Sequence, residues 1–258
     1  MKNITIIALL LLSFLIISAN FSDPQDSSKF VLVLDAGHGG LDPGCIGVFS
    51  KEKEVVLDVS LRLKKLIERM HPDVEVVLTR GTDDFIPLHE RADISNEKNA
   101  DLFISIHCNA SVKKHIKGSE TYVLGKNGDE ENLLVAMREN SVILNEEGYQ
   151  EKYDGFDPTS PIGQILLSNY QHSFKEQSLK CAGLVETMFQ DVDNWKSRGV
   201  KQAGFLVLVQ TNMPSILIEI GFLSNKEEEK YLNSELGKER VVTNIYRAFR
   251  DYKESVGK

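Results

Sequence analysis

Cysteine is scarce: Cys45, Cys108 and Cys181 are the three in 258 residues. An odd number at wide spacing makes neither a disulfide framework nor a cysteine-based zinc motif. These thiols read as small buried or half-buried residues. No basic block stands out, and the formal net charge is -8. That excludes a protein that grips nucleic acid through its phosphates. No long apolar run recurs after the first twenty residues, so no membrane span is expected beyond them. Repeats and low-complexity tracts are absent too, and nothing suggests a second domain. A hydrophobic content of 41% over this length suffices for one sizeable core.

What is there begins with MKNITIIALLLLSFLIISAN. One early lysine precedes an apolar run from Ile4 to Ile17, then small Ser18 and Ala19. This is the layout of a secretory signal peptide over residues 1–20, cut near Ala19–Asn20 or Asn20–Phe21. The run is shorter than the roughly 20 residues of a spanning helix. No cysteine follows it to carry a lipid. Residues 21–28, FSDPQDSS, read as a short linker, and 29–255 as one domain working outside the cytoplasm.

Apolar runs bounded by turn residues predict strands at KFVLVLD, VEVVLTR, DLFISIH, SETYVLG, GFLVLVQ and SILIEIGF. Helical patterns cover 52–70, Pro87 to Lys98, 127–151, 161–192 and Lys226 to Tyr252, with the turn-rich DGFDPTSP as a break. Strands and helices alternate. The expected fold is α/β: a single three-layer domain, a mostly parallel twisted sheet of about six strands with helices on both faces. In such sheets, sites gather at the C-terminal ends of strands.

Those ends carry chemistry. The first strand runs into Asp35-Ala36-Gly37-His38, the third into His107-Cys108-Asn109, and the last holds Glu219 inside LIEIGF. Two imidazoles and a carboxylate fit a catalytic zinc site, which keeps three protein ligands and one open position. Either histidine alone reads more often as a hydrogen-bonded structural residue than as a ligand, but both together count for more, and the glycines around His38 allow close backbone approach. His71, His89, His115 and His172 read as surface residues. In the helix at 52–70, positions 52, 56, 59, 63, 66 and 70 form one face, apolar except at Glu52. Glu54 shares a face with Asp58, Arg62 and Lys65. Glu52 therefore points inward, either as a ligand or toward the helix N-terminus. Glu219 interrupts a core run, so it is either paired or held for proton transfer.

DAGHGGLDPG, EKEVVLDVSLRLKKLI, SIHCNA, RGVKQAGFLVL and MPSILIEIGFLSN, in this order, resemble the zinc-dependent N-acetylmuramoyl-L-alanine amidases, cell-wall enzymes of bacterial division. The resemblance spans about residues 30–252. It implies that His38, Glu52 and His107 hold one Zn²⁺ per chain and that Glu219 is the catalytic glutamate. The implied reaction is hydrolysis of the amide between N-acetylmuramic acid and L-alanine in peptidoglycan, for wall remodelling and daughter-cell separation. Beside it, Asp35 is expected either to orient a ligand imidazole or to shape a strand-end turn. Asn109 either binds substrate or makes a loop hydrogen bond. The implied location is the periplasm or cell-wall space.

Residues 126–165 exceed an ordinary connection and are rich in acids. Some relatives carry here a helix that covers the site until an activator protein displaces it. Such a helix offers an acid to the zinc: Glu139 first, with Glu146 and Glu147 behind it. The alternative is a solvated or substrate-facing excursion. Two other functions stay open, a non-catalytic wall-binding protein and a different zinc hydrolase such as a carboxypeptidase.

Overall fold

Alternation between two buried faces along three strands decides where the site sits. The computed structural model describes residues 29–126, 128–168, 173–190 and 195–258. The expected signal peptide and linker, and His172, lie outside the described residues. In β1 (Phe30–Ala36), Leu32, Leu34 and Ala36 enter one apolar cluster and Val33 enters another. β3 (Leu102–Asn109) sets Leu102, Ile104 and Ile106 against Phe103, and β6 (Ser215–Phe222) sets Ile216, Ile218 and Ile220 against Leu217. Successive side chains point to opposite faces. Asp35, His107 and Glu219 therefore share the face of Val33, Phe103 and Leu217.

The remaining strands are β2 (Val74–Leu78), β4 (Ser119–Leu124) and β5 (Ser197–Ala203). The order is β2-β1-β3-β6-β4-β5, parallel except for β4 against β6. Register places His107 opposite Glu219, and Glu219 opposite Glu120.

The helices are α1 (Glu52–Met70), α2 (Leu88–Glu97), α3 (Glu130–Asn140), α4 (Tyr149–Lys152), α5 (Pro161–Ser168), α6 (Lys175–Gln190), α7 (Leu206–Val209), α8 (Lys226–Leu232) and α9 (Glu235–Ser255). Side chains of α1, α6 and α9 fill the first cluster; those of α3 and α7 enter the second. This is the expected three-layer α/β sheet. The inward stripe of α1 holds at Glu52, Val56, Val59 and Leu63, then drifts to Ile67, leaving Met70 exposed.

Four expectations change. The helical pattern at 127–151 divides into α3, a 3-10 turn at Ser141–Asn145 and α4, and that at 161–192 into α5 and α6. GFLVLVQ is not a strand: its centre is α7, and the strand is the preceding SRGVKQA. An apolar run without alternation fits a buried helix as well as a buried strand. β5 lies at the sheet edge, where charged side chains are the rule, so it lacks the apolar signature. The C-terminal helix is interrupted at Asn233 and Ser234, and the Ser234 side chain accepts the Gly237 N–H to cap α9.

Asp35 does not orient an imidazole. It is buried and accepts from Thr79 Oγ1 (2.6 Å), Ser105 Oγ (2.6 Å) and Arg91 Nη1 (2.7 Å). Burial alone raises a carboxyl pKa, but Arg91, Ser105 and Thr79 together hold Asp35 below its usual value. A depressed carboxyl stabilises the fold above its unfolded pKa of about 4, and that contribution is lost as pH falls through the lower folded value. Arg91→Met leaves a buried, unpaired carboxylate and should cost about 3–5 kcal/mol. Urea unfolding at pH 7 measures the loss; the variant's acid limb should also be shallower.

Candidate metal centre

The turn after β1 is held by two buried arginines. Arg80 donates to Ala36 O (2.8 Å) and Gly37 O (2.7 Å), and Arg91 Nη2 donates to His38 O (2.7 Å). They stabilise an unusual backbone. His38 has φ of 61°, a left-handed conformation that costs a non-glycine residue energy and clusters at functional sites. Gly37 permits a close approach to the site: a Cβ there would stand 2.4 Å from the His107 ring. Neither arginine carries a local sequence signal, so sequence alone does not single them out.

Four donor atoms converge. His38 Nε2 lies 3.0 Å from Glu52 Oε1 and 3.2 Å from Glu139 Oε2. His107 Nδ1 lies 3.1 Å from Glu52 Oε1, 3.2 Å from Glu139 Oε2 and 3.1 Å from His38 Nε2. All four atoms lie within 4.8 Å of one another. Ligands about 2.0–2.1 Å from a tetrahedral zinc stand roughly 3.3–3.4 Å apart, so this donor set fits such an ion. Glu139 Oε2 is buried and receives no well-aimed hydrogen bond, as suits an oxygen directed at a cation.

Electrostatics agree. Burial disfavours a charged imidazole, yet Glu52 and Glu139 outweigh it at His38, raising its pKa well above the usual value. At His107 the same burial is outweighed by Glu139 and Glu52, and the pKa is pushed up to about 9. Burial is likewise overcome at the acids: His38 and His107 depress Glu52, and Arg138, His107 and His38 depress Glu139. Two carboxylates facing two rings make a pocket that stabilises about two positive charges, as two protons or one divalent cation.

The structure separates the sequence candidates. Glu52 is fully buried and Glu54 exposed. Glu52 Oε1 accepts from Cys108 N–H and Oε2 from Cys45 N–H, both at 2.8 Å, so it serves the strand ends rather than its own helix terminus. Glu139 reaches the donor set. Glu146 does not: it accepts from Tyr153 Oη (2.9 Å), anchoring the insertion near α2. Glu147 is exposed.

The group that does hold an imidazole is Asp42, absent from the sequence candidates. Its Oδ2 lies 2.6 Å from His38 Nδ1, and its Oδ1 accepts from Gly44 N–H. A proton on Nδ1 leaves Nε2 free to ligate. Its only local signal was its place four residues beyond His38 in the glycine turn. Asp42→Ala should weaken zinc binding about 10–100-fold with little change in unfolding; competition against a calibrated chelator reads it.

Glu219 is fully buried. Its Oε1 is 3.3 Å from Arg138 Nη2, and its Oε2 has no hydrogen-bond partner. Burial raises its pKa, Arg138 opposes, and Glu139 and Glu52 push it further up; the result is well above the usual value. Asn109 donates to Glu120 Oε2 (2.9 Å), and its Oδ1 accepts from Ala110 N–H and from Arg138. It combines a loop hydrogen bond with a place beside Glu219's partner.

Imidazoles and carboxylates gathered at the strand ends of an α/β sheet, beside a buried glutamate, define the class as an α/β domain with a group able to hold a metal ion. A family described as N-acetylmuramoyl-L-alanine amidase matches residues 32–251, and the chain belongs to it. N-acetylmuramoyl-L-alanine amidase AmiA of Escherichia coli (strain K12) is 32% identical over 222 residues, covering 86% of this chain and 75% of that one. AmiC of Neisseria meningitidis serogroup B is 33% identical over 88% of this chain, which spans 54% of that relative. A crystal structure of an N-acetylmuramoyl-L-alanine amidase from Clostridium difficile 630 superposes with a TM-score of 0.66 at 25% identity, covering 90% of this chain and all of that one. The CwlD amidase from Clostridioides difficile, solved in complex with the GerS lipoprotein, gives 0.65 at 26% identity, with coverage of 88% and 100%. The activity that goes with the family is that of a peptidoglycan amidase. Among the described residues, no helix is long and apolar enough to cross a membrane.

Proposed function

We propose that the chain is a zinc-dependent amidase that acts outside the cytoplasm in wall remodelling and daughter-cell separation, restrained by its own α3. The reading rests on one observation: the His38 and His107 nitrogens stand 3.0–3.2 Å from each other and from one oxygen each of Glu52 and Glu139, with all four atoms within 4.8 Å of one another. His38, Glu52 and His107 would hold the zinc, and Glu139 takes the position a water or substrate oxygen needs. A zinc ion there supplies Lewis acidity toward a water and the scissile carbonyl. Glu219 Oε2 accepts the proton of the attacking water. As the new C–O bond forms and the C–N bond breaks, Glu219 returns that proton to the leaving nitrogen of L-alanine. Burial favours the protonated carboxyl that must form between the two transfers.

An activator protein is the natural agent to withdraw Glu139. The similar CwlD amidase, solved together with a lipoprotein, supports that kind of partner. The apolar run at residues 4–17 supports export.

The test is a digest of purified sacculi by the mature chain, with and without a zinc chelator, read by mass spectrometry. Free stem peptides beginning with L-alanine, formed only without chelator, are the expected result. Shortened stems still attached to sugar identify a peptidase and overturn the reading.

A further inference from the structure

Two cavities flank the donor set and share a wall. The larger, about 420 Å³, runs from Asn109 past Phe222 to Arg198 beneath α3. The smaller, about 160 Å³, opens beside His38, Asp42 and Cys45. Arg138 lines both. Its guanidinium reaches Asn109 Oδ1 and Glu219 Oε1, so one α3 side chain, seated on the acid–base glutamate, divides a cleft into these two cavities.

Three α3 side chains occupy that cleft in series. Glu139 meets the donor set, Arg138 meets Glu219, and Glu131 Oε2 lies 3.4 Å from Arg198 Nη2. Arg198 is well placed to receive an anion. Its Nε donates to Glu120, and its plane lies over Phe222 at 5.5 Å. Glu120 is also paired with Lys201 at 2.8 Å, so two cations share one carboxylate and positive charge is left over. Glu131, by contrast, is 62% exposed, a loose partner easily exchanged.

The leaving nitrogen takes its proton from Glu219, whose cross-strand neighbour Glu120 lines the larger cavity, so the departing peptide is assigned to that cavity. Glu131 and Glu139 are eight positions apart on one helix, about 12 Å along its axis. An extended peptide covers that length in roughly three to four residues. The stem peptide of peptidoglycan is acidic.

We propose that Arg198 anchors an acidic-peptide subsite, binding a stem carboxylate three to four residues beyond the scissile amide, where Glu131 of α3 now sits. The proposal rests on the amidase reading above. It makes α3 an internal mimic of substrate along its whole length, not at the metal ligands alone.

The experiment compares N-acetylmuramoyl tetrapeptides with free or fully amidated carboxylates, cleaved by the zinc-loaded Glu139→Ala chain. Free carboxylates should be preferred about ten- to a hundredfold in kcat/KM, through KM. Arg198→Gln should erase the preference by lowering kcat/KM for the free-carboxylate substrate far more than for the amidated one, and Arg198→Lys should restore part of it. A preference that survives Arg198→Gln, or equal losses on both substrates, overturns the proposal. Fluorescence anisotropy of the labelled free tetrapeptide needs no catalysis. Binding should tighten in Glu131→Gln and vanish in Arg198→Gln. If neither substrate is cleaved, the amidase reading fails on its own, and equal peptide affinity for wild type and Arg198→Gln still overturns the subsite.

Discussion

Glu219→Gln should abolish hydrolysis of peptidoglycan, lowering kcat by about 10²–10⁴-fold, while zinc content and fold are retained. The amide fills the same volume but cannot accept the water's proton. Stability should hold or rise at neutral and alkaline pH. A buried carboxyl with a raised pKa favours the folded state at low pH, and that contribution is lost as pH rises through the folded value. The amide removes that loss. Muropeptide release, metal analysis and thermal melts across pH check the three parts. Activity within tenfold of wild type would remove Glu219 from the chemistry.

Glu139→Ala should act in the opposite direction and raise basal hydrolysis by about tenfold or more, the scale of one charge-assisted hydrogen bond removed from the closed state. Glu139 lies 3.2 Å from both ligand nitrogens. Removing its carboxylate frees a position at the donor set and leaves Arg138 with Glu219, Asn109 and the Ala110 carbonyl. Glu139→Gln, which keeps an oxygen but not the charge, should fall between. Deleting residues 126–160 should reproduce the gain if the chain still folds. Initial rates on sacculi, with chelator as control, decide; an unchanged Glu139→Ala rate would make α3 a bystander.

Much of this site is legible in the sequence, because its parts obey local periodicities. Strand alternation puts His107 and Glu219 on one sheet face, and helical spacing turns Glu52 inward and Glu54 outward. What stays hidden is non-local. Asp35 sits at the right strand end, yet Thr79, Ser105 and Arg91 from three other segments consume its oxygens. Asp42 meets His38 Nδ1 in a turn where His38 adopts a left-handed backbone, which the sequence does not announce. Arg80 and Arg91 lie far along the chain from the turn they hold. The seating of α3 is also non-local: Asn140, next to Glu139, donates to Gly204 O (2.7 Å) and accepts from Leu206 N–H (2.9 Å). Those partners belong to the segment whose apolar pattern suggests a strand, so residues 126–165 by themselves do not reveal where Glu139 points.

The central claim is that His38, Glu52, His107 and Glu139 together form one zinc site. A crystal of the zinc-loaded wild-type chain, with anomalous data on both sides of the zinc edge, tests it most directly. The expected result is a single strong peak about 2.0–2.2 Å from His38 Nε2, His107 Nδ1 and a carboxylate oxygen of each glutamate. A peak elsewhere, or a site lacking either histidine, contradicts it; a peak with Glu139 turned away contradicts the restraint by α3.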